Sequence, residues 1–544
     1  MSHTMTATET APRATSVDAG AGHETDAGRP PAGLAGWFTT EDHKRIGRLY
    51  LGTALAFLVV GGVLGAVLGV ERINSGLQVL TDTTFGQVYT LHGEVAVLLF
   101  LVPFFLGLAT YLVPLQVGSP DIAFPRGSAT AYWAYLLGGV LLLAAYAANG
   151  GPGGGSQVGT DLYLLSLALL TVAFCVALVS ILTTALTLRA PGMTLARTPL
   201  FTWSVLVGGG LTLLASPVLL AQLVEMFIHH HFSGDFGGQA SYARISWFWA
   251  VPQVYLLAVP AAGIAAEIVP VLTGGRLRNH RSGMAVIVAL GILGFGAWSP
   301  PAAAAADFLY VVVGLAALLP ALALVGLLGD TVRGGSFVRK APLLLALGAV
   351  VHLLLGALAG AVQVVPGLQL RGTAWEAAQM HYTLYGAATL AAFAALWYWA
   401  PKIWGVVLGE AAGTAAFALT FWGAILLAAP DLVTGLVSDQ RLQGGQFDDT
   451  GLVTAMNAAS ALGGALAVLG VLVVVGELLR RTRGRSAAGA AANPWGGHTL
   501  EWATTSPPPP GNFAEPVPPV TSATPLAGEA TEATGATDRE EVKR

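Results

Sequence analysis

The chain has 544 residues, 54% of them hydrophobic and only 10% charged, where an ordinary soluble domain is roughly 25% charged. A net charge of −4 and a single cysteine, Cys175, exclude a disulfide framework, a Cys-ligated cluster and a thiol pair, and give no reason to expect a nucleic-acid partner. Cys175 lies in an apolar block and reads as a small core residue.

Residues 1–36, rich in Ala, Thr, Gly and Asp, have no apolar core and read as a disordered tail rather than a signal peptide. Apolar blocks long enough to cross a bilayer as helices then follow near 46–70, 91–115, 130–149, 162–188, 200–226, 246–271, 283–299, 307–329, 341–363, 376–400, 412–434 and 452–479. In lipid a helix satisfies its own backbone, and no alternating barrel pattern is present. Residues 37–482 are therefore predicted to form one all-α membrane domain, a twelve-transmembrane-helix bundle. From about Ser486 the chain is rich in Ala, Pro, Gly, Thr and Glu, so residues 483–544 are expected to be a mostly disordered cytoplasmic tail.

Lys and Arg set the orientation. With the N-terminus in the cytoplasm, the outside connections hold only Arg72, Arg244, Arg371 and Arg441. The inside ones hold runs such as Arg276, Arg278 and Arg281, or Arg480, Arg481 and Arg483. Both termini are then cytoplasmic. In this frame His92 stands at the outer end of the second helix, and His381 lies about one and a half turns into the tenth. At 1.5 Å per residue both are within about 10 Å of the outer surface. Two histidines at one depth can share an iron held between their helices, or can be two hydrogen-bonded core histidines. Periodicity alone leaves both readings open.

Longer strings carry a family resemblance. Residues Pro114 to Arg126 (PLQVGSPDIAFPR) are similar to the PLQIGAPDMAFPR signature of cytochrome oxidase subunit I. Asn493-Pro494-Trp495, Thr499-Leu500-Glu501-Trp502 and the prolines after Ser506 resemble that family's NPW, TLEW and SPPP ending, and Trp397 to Lys402 resembles YYWFPK. The chain is identified as a divergent member of the heme-copper oxidase superfamily, similar from about Phe38 to Phe513. The resemblance implies a bacterial-type inner membrane, partners among other oxidase subunits, and a family complement of a low-spin heme, a high-spin heme and copper B. His92 and His381 match the two low-spin heme ligands, so one bis-histidine heme, of a or b type, is expected between them.

The remaining ligands of that family depart from its pattern. The high-spin heme histidine of HFHY is Gln379. HPEVY is Val251-Pro252-Gln253-Val254-Tyr255, and the WAHH histidines fall on Pro300 and Pro301. Valine and proline side chains have no ligand atom, and an amide is a poor iron ligand beside an imidazole. Copper B and the high-spin heme are therefore expected to be absent. The relay carboxylate of HPEVY is Gln253, and the lysine of the second proton path aligns with Leu324. Asp121 reads as a loop-structuring residue, and Tyr255 as packing. Arg441, from an arginine pair, and Arg371, in place of an HDT histidine, are candidate contacts for heme propionates, or else anchors that snorkel to lipid headgroups.

Some features lie outside the family pattern. Glu94 is an intramembrane carboxylate that could tune a nearby heme. His352 reads as a buried, hydrogen-bonded histidine. Glu225 with His229, His230 and His231, read as lying on an extended loop, forms a candidate outer-face metal cluster. Three functional readings follow. The chain is an electron-transferring subunit I homologue unable to reduce oxygen itself, a terminal oxidase subunit with a rebuilt centre, or a heme-free scaffold or assembly partner of an oxidase complex. Whether it is itself an enzyme stays open at this point.

Overall fold

The structure, a computed structural model, describes residues 33, 35–74, 79–232, 245–246, 252–296, 308–438, 450–484 and 489–527, with backbone only at 252–255 and 296. Residues 1–40 and 41–544 are two separate units. In the first, Ala35–Phe38 makes one helical turn, with Thr39 Oγ1 donating to Ala35 O.

The second unit is built of helices, with a mostly non-helical described tail at residues 489–527. Among the described residues, nine helices are long and apolar enough to cross a bilayer: α1 (His43–Glu71), α2 (Asp82–Val117), α3 (Pro125–Ala147), α4 (Gln157–Thr187), α5 (Leu200–Phe232), α8 (Phe308–Gly334), α9 (Ala341–Gln363), α11 (Glu410–Val437) and α12 (Gly451–Arg483). Between them stand α6 (Pro252–Leu272), α7 (His280–Gly296) and α10. The last of these is built from Ala374–Met380, a π-helical stretch His381–Thr389, and Leu390–Trp404. The fold class expected from sequence is therefore present, as an all-α bundle of membrane helices.

Local chemistry explains the helix ends. Asp42 caps α1 by accepting from Lys44 N at 2.9 Å, and Thr81 and Ser156 cap α2 and α4 in the same way. Glu71 accepts from Val79 N and Leu80 N at 3.0 and 3.1 Å, closing the descent from α1 towards α2. Small residues set the packing: a Cβ on Gly47 would lie 2.8 Å from Gly107 O, so α1 and α2 cross backbone against backbone. The apolar window of α2 is 94% buried, which makes it the centre of the bundle and carries its histidine inward.

Two expectations need correction. The tail is ordered over residues 489–527, not disordered from Ser486. Its Leu500, Glu501 and Trp502 are buried, and the tail packs against the ends of α2 and α10. Trp495 Nε1 donates to Tyr398 O at 2.8 Å, and Lys402 donates to Thr504 O and lies 5.2 Å from the Trp502 ring. Glu501 Oε1 accepts from Gln116 and Trp399 at 3.1 and 3.2 Å. Low overall hydropathy conceals these few aromatic anchors, which repay the ordering of the polar residues around them. The second correction concerns His229, His230 and His231, which lie on the last turn of α5 and not on an extended loop.

Candidate functional site

His92 projects from α2 against α1. Its Nδ1 is hydrogen-bonded to Gly61 O at 3.0 Å. One turn along α1, Gly65 lies under the ring, where an added Cβ would be 2.9 Å from Cε1. The bond to a backbone carbonyl fixes the ring's tilt, and a carbonyl behind one ring nitrogen is the arrangement by which a ligating imidazole is usually held. Immediately after Glu94, α2 widens into a π-helical stretch, Val95–Leu101. The matching stretch of α10 begins at His381 itself, and the two stretches pack against each other. Such widened turns concentrate at functional sites because they re-aim side chains out of regular register.

The packing puts the two predicted ligands on facing helices, His92 one turn before one π-helical stretch and His381 at the start of the other. His381 Nδ1 is buried and has no hydrogen-bond partner among the described residues. An unsatisfied buried polar atom costs about 1–3 kcal/mol. The residues therefore fit a heme: two imidazoles from facing helices, one oriented by a carbonyl and the other with a ring nitrogen unsatisfied within the chain.

Other sequence-selected residues fall as follows. Gln379 is buried, with its Nε2 directed at Thr383 Oγ1 (3.3 Å) one turn along α10. His352 bonds Phe421 O through Nε2 at 3.2 Å and rests on Gly386, with Phe421 edge-on at 4.8 Å, which is the core role read for it. Arg371 stacks its guanidinium over the Tyr310 ring at 5.2 Å and leaves Nη1 buried with no hydrogen-bond partner among the described residues. Asp121 Oδ1 accepts from Ile122 N at 2.8 Å, in keeping with a loop-structuring role. Arg441, Val251, Pro300 and Pro301 lie outside the described residues, as do the side chains of Gln253 and Tyr255.

Glu94 is fully buried, accepting from Tyr163 at 2.6 Å and Tyr146 at 3.0 Å. Its partners belong to α3 and α4, so it ties α2 to the neighbours on that side.

Sequence reasoning missed four residues. Gly61 and Gly65 form the platform for His92, and the Gly61-Gly62-x-x-Gly65 spacing in α1 was a readable signal. Arg72, taken as an outside loop charge, is buried and pairs with Asp431 at 2.7 Å, with Asn457 at 3.5 Å. Asp431, an acidic residue inside an apolar run after Pro430, was the readable half of that pair.

Comparison with known proteins shows the family. Residues 45–466 match the family model described as Cytochrome C and Quinol oxidase polypeptide I. The chain belongs to this family. It is 33% identical to a putative cytochrome c oxidase subunit 1-beta of Streptomyces coelicolor, over 88% of each chain. It is 30% identical to cytochrome c oxidase subunit 1 of Corynebacterium glutamicum, over 90% of this chain and 88% of the relative. A heme-copper oxidase subunit I+III of Aeropyrum pernix is 32% identical over 88% of this chain and 61% of that longer protein. Membership in the oxidase polypeptide I family implies heme as cofactor, and makes the chain a multi-pass membrane protein of respiratory electron transport.

Proposed function

We propose that this oxidase-subunit-I-like chain holds one low-spin heme between His92 and His381 and passes electrons without reducing oxygen itself. The observation that carries the reading is the pair formed by His92, tied at Nδ1 to Gly61 O one turn before the π-helical stretch of α2, and His381, which opens the π-helical stretch packed against it and whose buried Nδ1 has no hydrogen-bond partner among the described residues. A heme held by two imidazoles exchanges one electron at a time and keeps no open iron position for oxygen. The role of the chain is to hold the two rings, exclude water from them, and supply positive charge nearby. Arg72 is neutralised by Asp431, whereas Arg371 Nη1, with no hydrogen-bond partner among the described residues, suits a propionate. Arg441 is the second propionate contact in this reading.

The replacement of the remaining metal ligands by Gln379, Val251, Pro300 and Pro301 supports the absence of copper B and of a ligated high-spin heme. We further infer that α6, α7 and α10 complete a twelve-span bundle in the bacterial inner membrane, with both termini and the docked tail in the cytoplasm. Other subunits of an oxidase complex, of the II and III type, are the partners.

Spectroscopy and metal analysis of the purified protein test this reading. One low-spin heme per chain, no change on adding carbon monoxide and no copper are expected, with the heme lost in His381→Ala. A carbon monoxide-binding heme with copper points to a rebuilt oxygen-reducing centre. A protein that takes up no heme, or a His381→Ala spectrum identical to the parent, removes the assignment altogether.

A further inference from the structure

The outer ends of α4 and α5 carry a cluster that is separate from the histidine pair above. Asp161 lies in the first turns of α4, and His230 and His231 in the last turn of α5. Each offers one ligand atom, and the three atoms lie within 4.8 Å of one another. Asp161 Oδ1 is 2.9 Å from His231 Nε2 and 3.6 Å from His230 Nε2. Two donors about 2.0–2.1 Å from one ion are about 2.9 Å apart at a right angle and about 3.4 Å apart at the tetrahedral angle. Both carboxylate–imidazole spacings thus lie at or near coordination distance already.

Adjacent residues on a helix diverge by about 100°, so two neighbouring imidazoles reaching one carboxylate oxygen is a convergence that the helix alone does not produce. The His230 side chain is only 9% exposed, while Asp161 and His231 are 37% and 41% exposed, which leaves room for water ligands on the outer side. His229 points elsewhere and pairs with Glu225 at 3.8 Å.

We propose that Asp161, His230 and His231 bind a divalent transition-metal ion of the zinc or copper class, linking the outer ends of α4 and α5. Two imidazoles and one carboxylate suit such ions better than magnesium or calcium, which take oxygen ligands. Ligation through His230 Nε2 places the ring proton on Nδ1 and exchanges the 3.3 Å contact with Gln157 O for the metal bond.

The test is zinc titration of the full-length, chelator-stripped protein in detergent, followed by calorimetry and thermal melting. Zinc should raise the melting temperature of the parent. Asp161→Asn and His231→Gln should each weaken binding at least about tenfold and abolish that rise, while His229→Ala leaves both unchanged. The zinc-free melts of all three variants should coincide with the parent, which separates a lost site from a lost fold. Zinc binding that survives Asp161→Asn at full affinity assigns it to the histidine run alone and overturns the proposal, as does a parent that binds no zinc.

Discussion

Replacing Gly65 by alanine tests the platform under His92. A comfortable carbon–carbon contact is about 3.5–4.0 Å, so a Cβ placed 2.9 Å from His92 Cε1 forces the ring to retreat by about half an ångström or more. The ring is tied to Gly61 O at 3.0 Å, and half an ångström spans most of the range over which such a bond survives. Its loss costs about 0.5–1.5 kcal/mol, and losing the hydrogen bond behind a ligating imidazole typically lowers metal affinity about 10–100-fold. Helix propensity acts in the opposite direction, since alanine for glycine in a helix interior adds about 0.5–1 kcal/mol. Gly52, exposed on the same helix with nothing within 4 Å of an added Cβ, isolates that second effect. Gly52→Ala should keep its heme and melt at or above the parent temperature. Gly65→Ala should surrender heme to excess apomyoglobin at least several-fold faster, followed by absorbance. If the two variants retain heme and melt alike, the platform has no bearing on the ligand and the reasoning fails.

Three further outcomes follow from buried groups. Arg72→Met should destabilise the protein by about 3–5 kcal/mol, because Asp431 is left buried and unpaired. Adding Asp431→Leu should recover most of that loss in thermal melts, and a double variant no better than the single contradicts the pairing. Tyr163→Phe removes the 2.6 Å bond to Glu94 and should cost about 1–3 kcal/mol, an effect that should vanish in a Glu94→Leu background. Burial pushes the Glu501 carboxyl above its ordinary range, with hydrogen bonds from Gln116 and Trp399 among the influences pulling it part-way back. The docked tail then holds this proton to higher pH than the free tail. Its contribution is full below the usual carboxylate range and is lost as pH rises through the folded value. Limited proteolysis should therefore cut residues 489–527 faster at higher pH in the parent, and Glu501→Gln should flatten that dependence.

The amino-acid sequence by itself determined the membrane-helix class, the orientation signal and the family. It also singled out His92 and His381 as candidate ligands. These properties lie in contiguous strings, in composition or in a period of 3.6 residues, so neighbouring residues suffice to express them. Tertiary structure decided what depends on residues far apart in the chain. Arg72 meets Asp431 across 359 positions, and Glu94 meets Tyr163 across 69. The Asn493–Trp502 region was recognisable as a motif, but its order depends on Tyr398, Trp399, Lys402 and Gln116 at the ends of α10 and α2. The metal-like cluster shows the same division. The histidine run was visible in sequence, yet its acidic partner proved to be Asp161 on another helix, because which carboxylate faces an imidazole is set by helix packing and not by proximity along the chain.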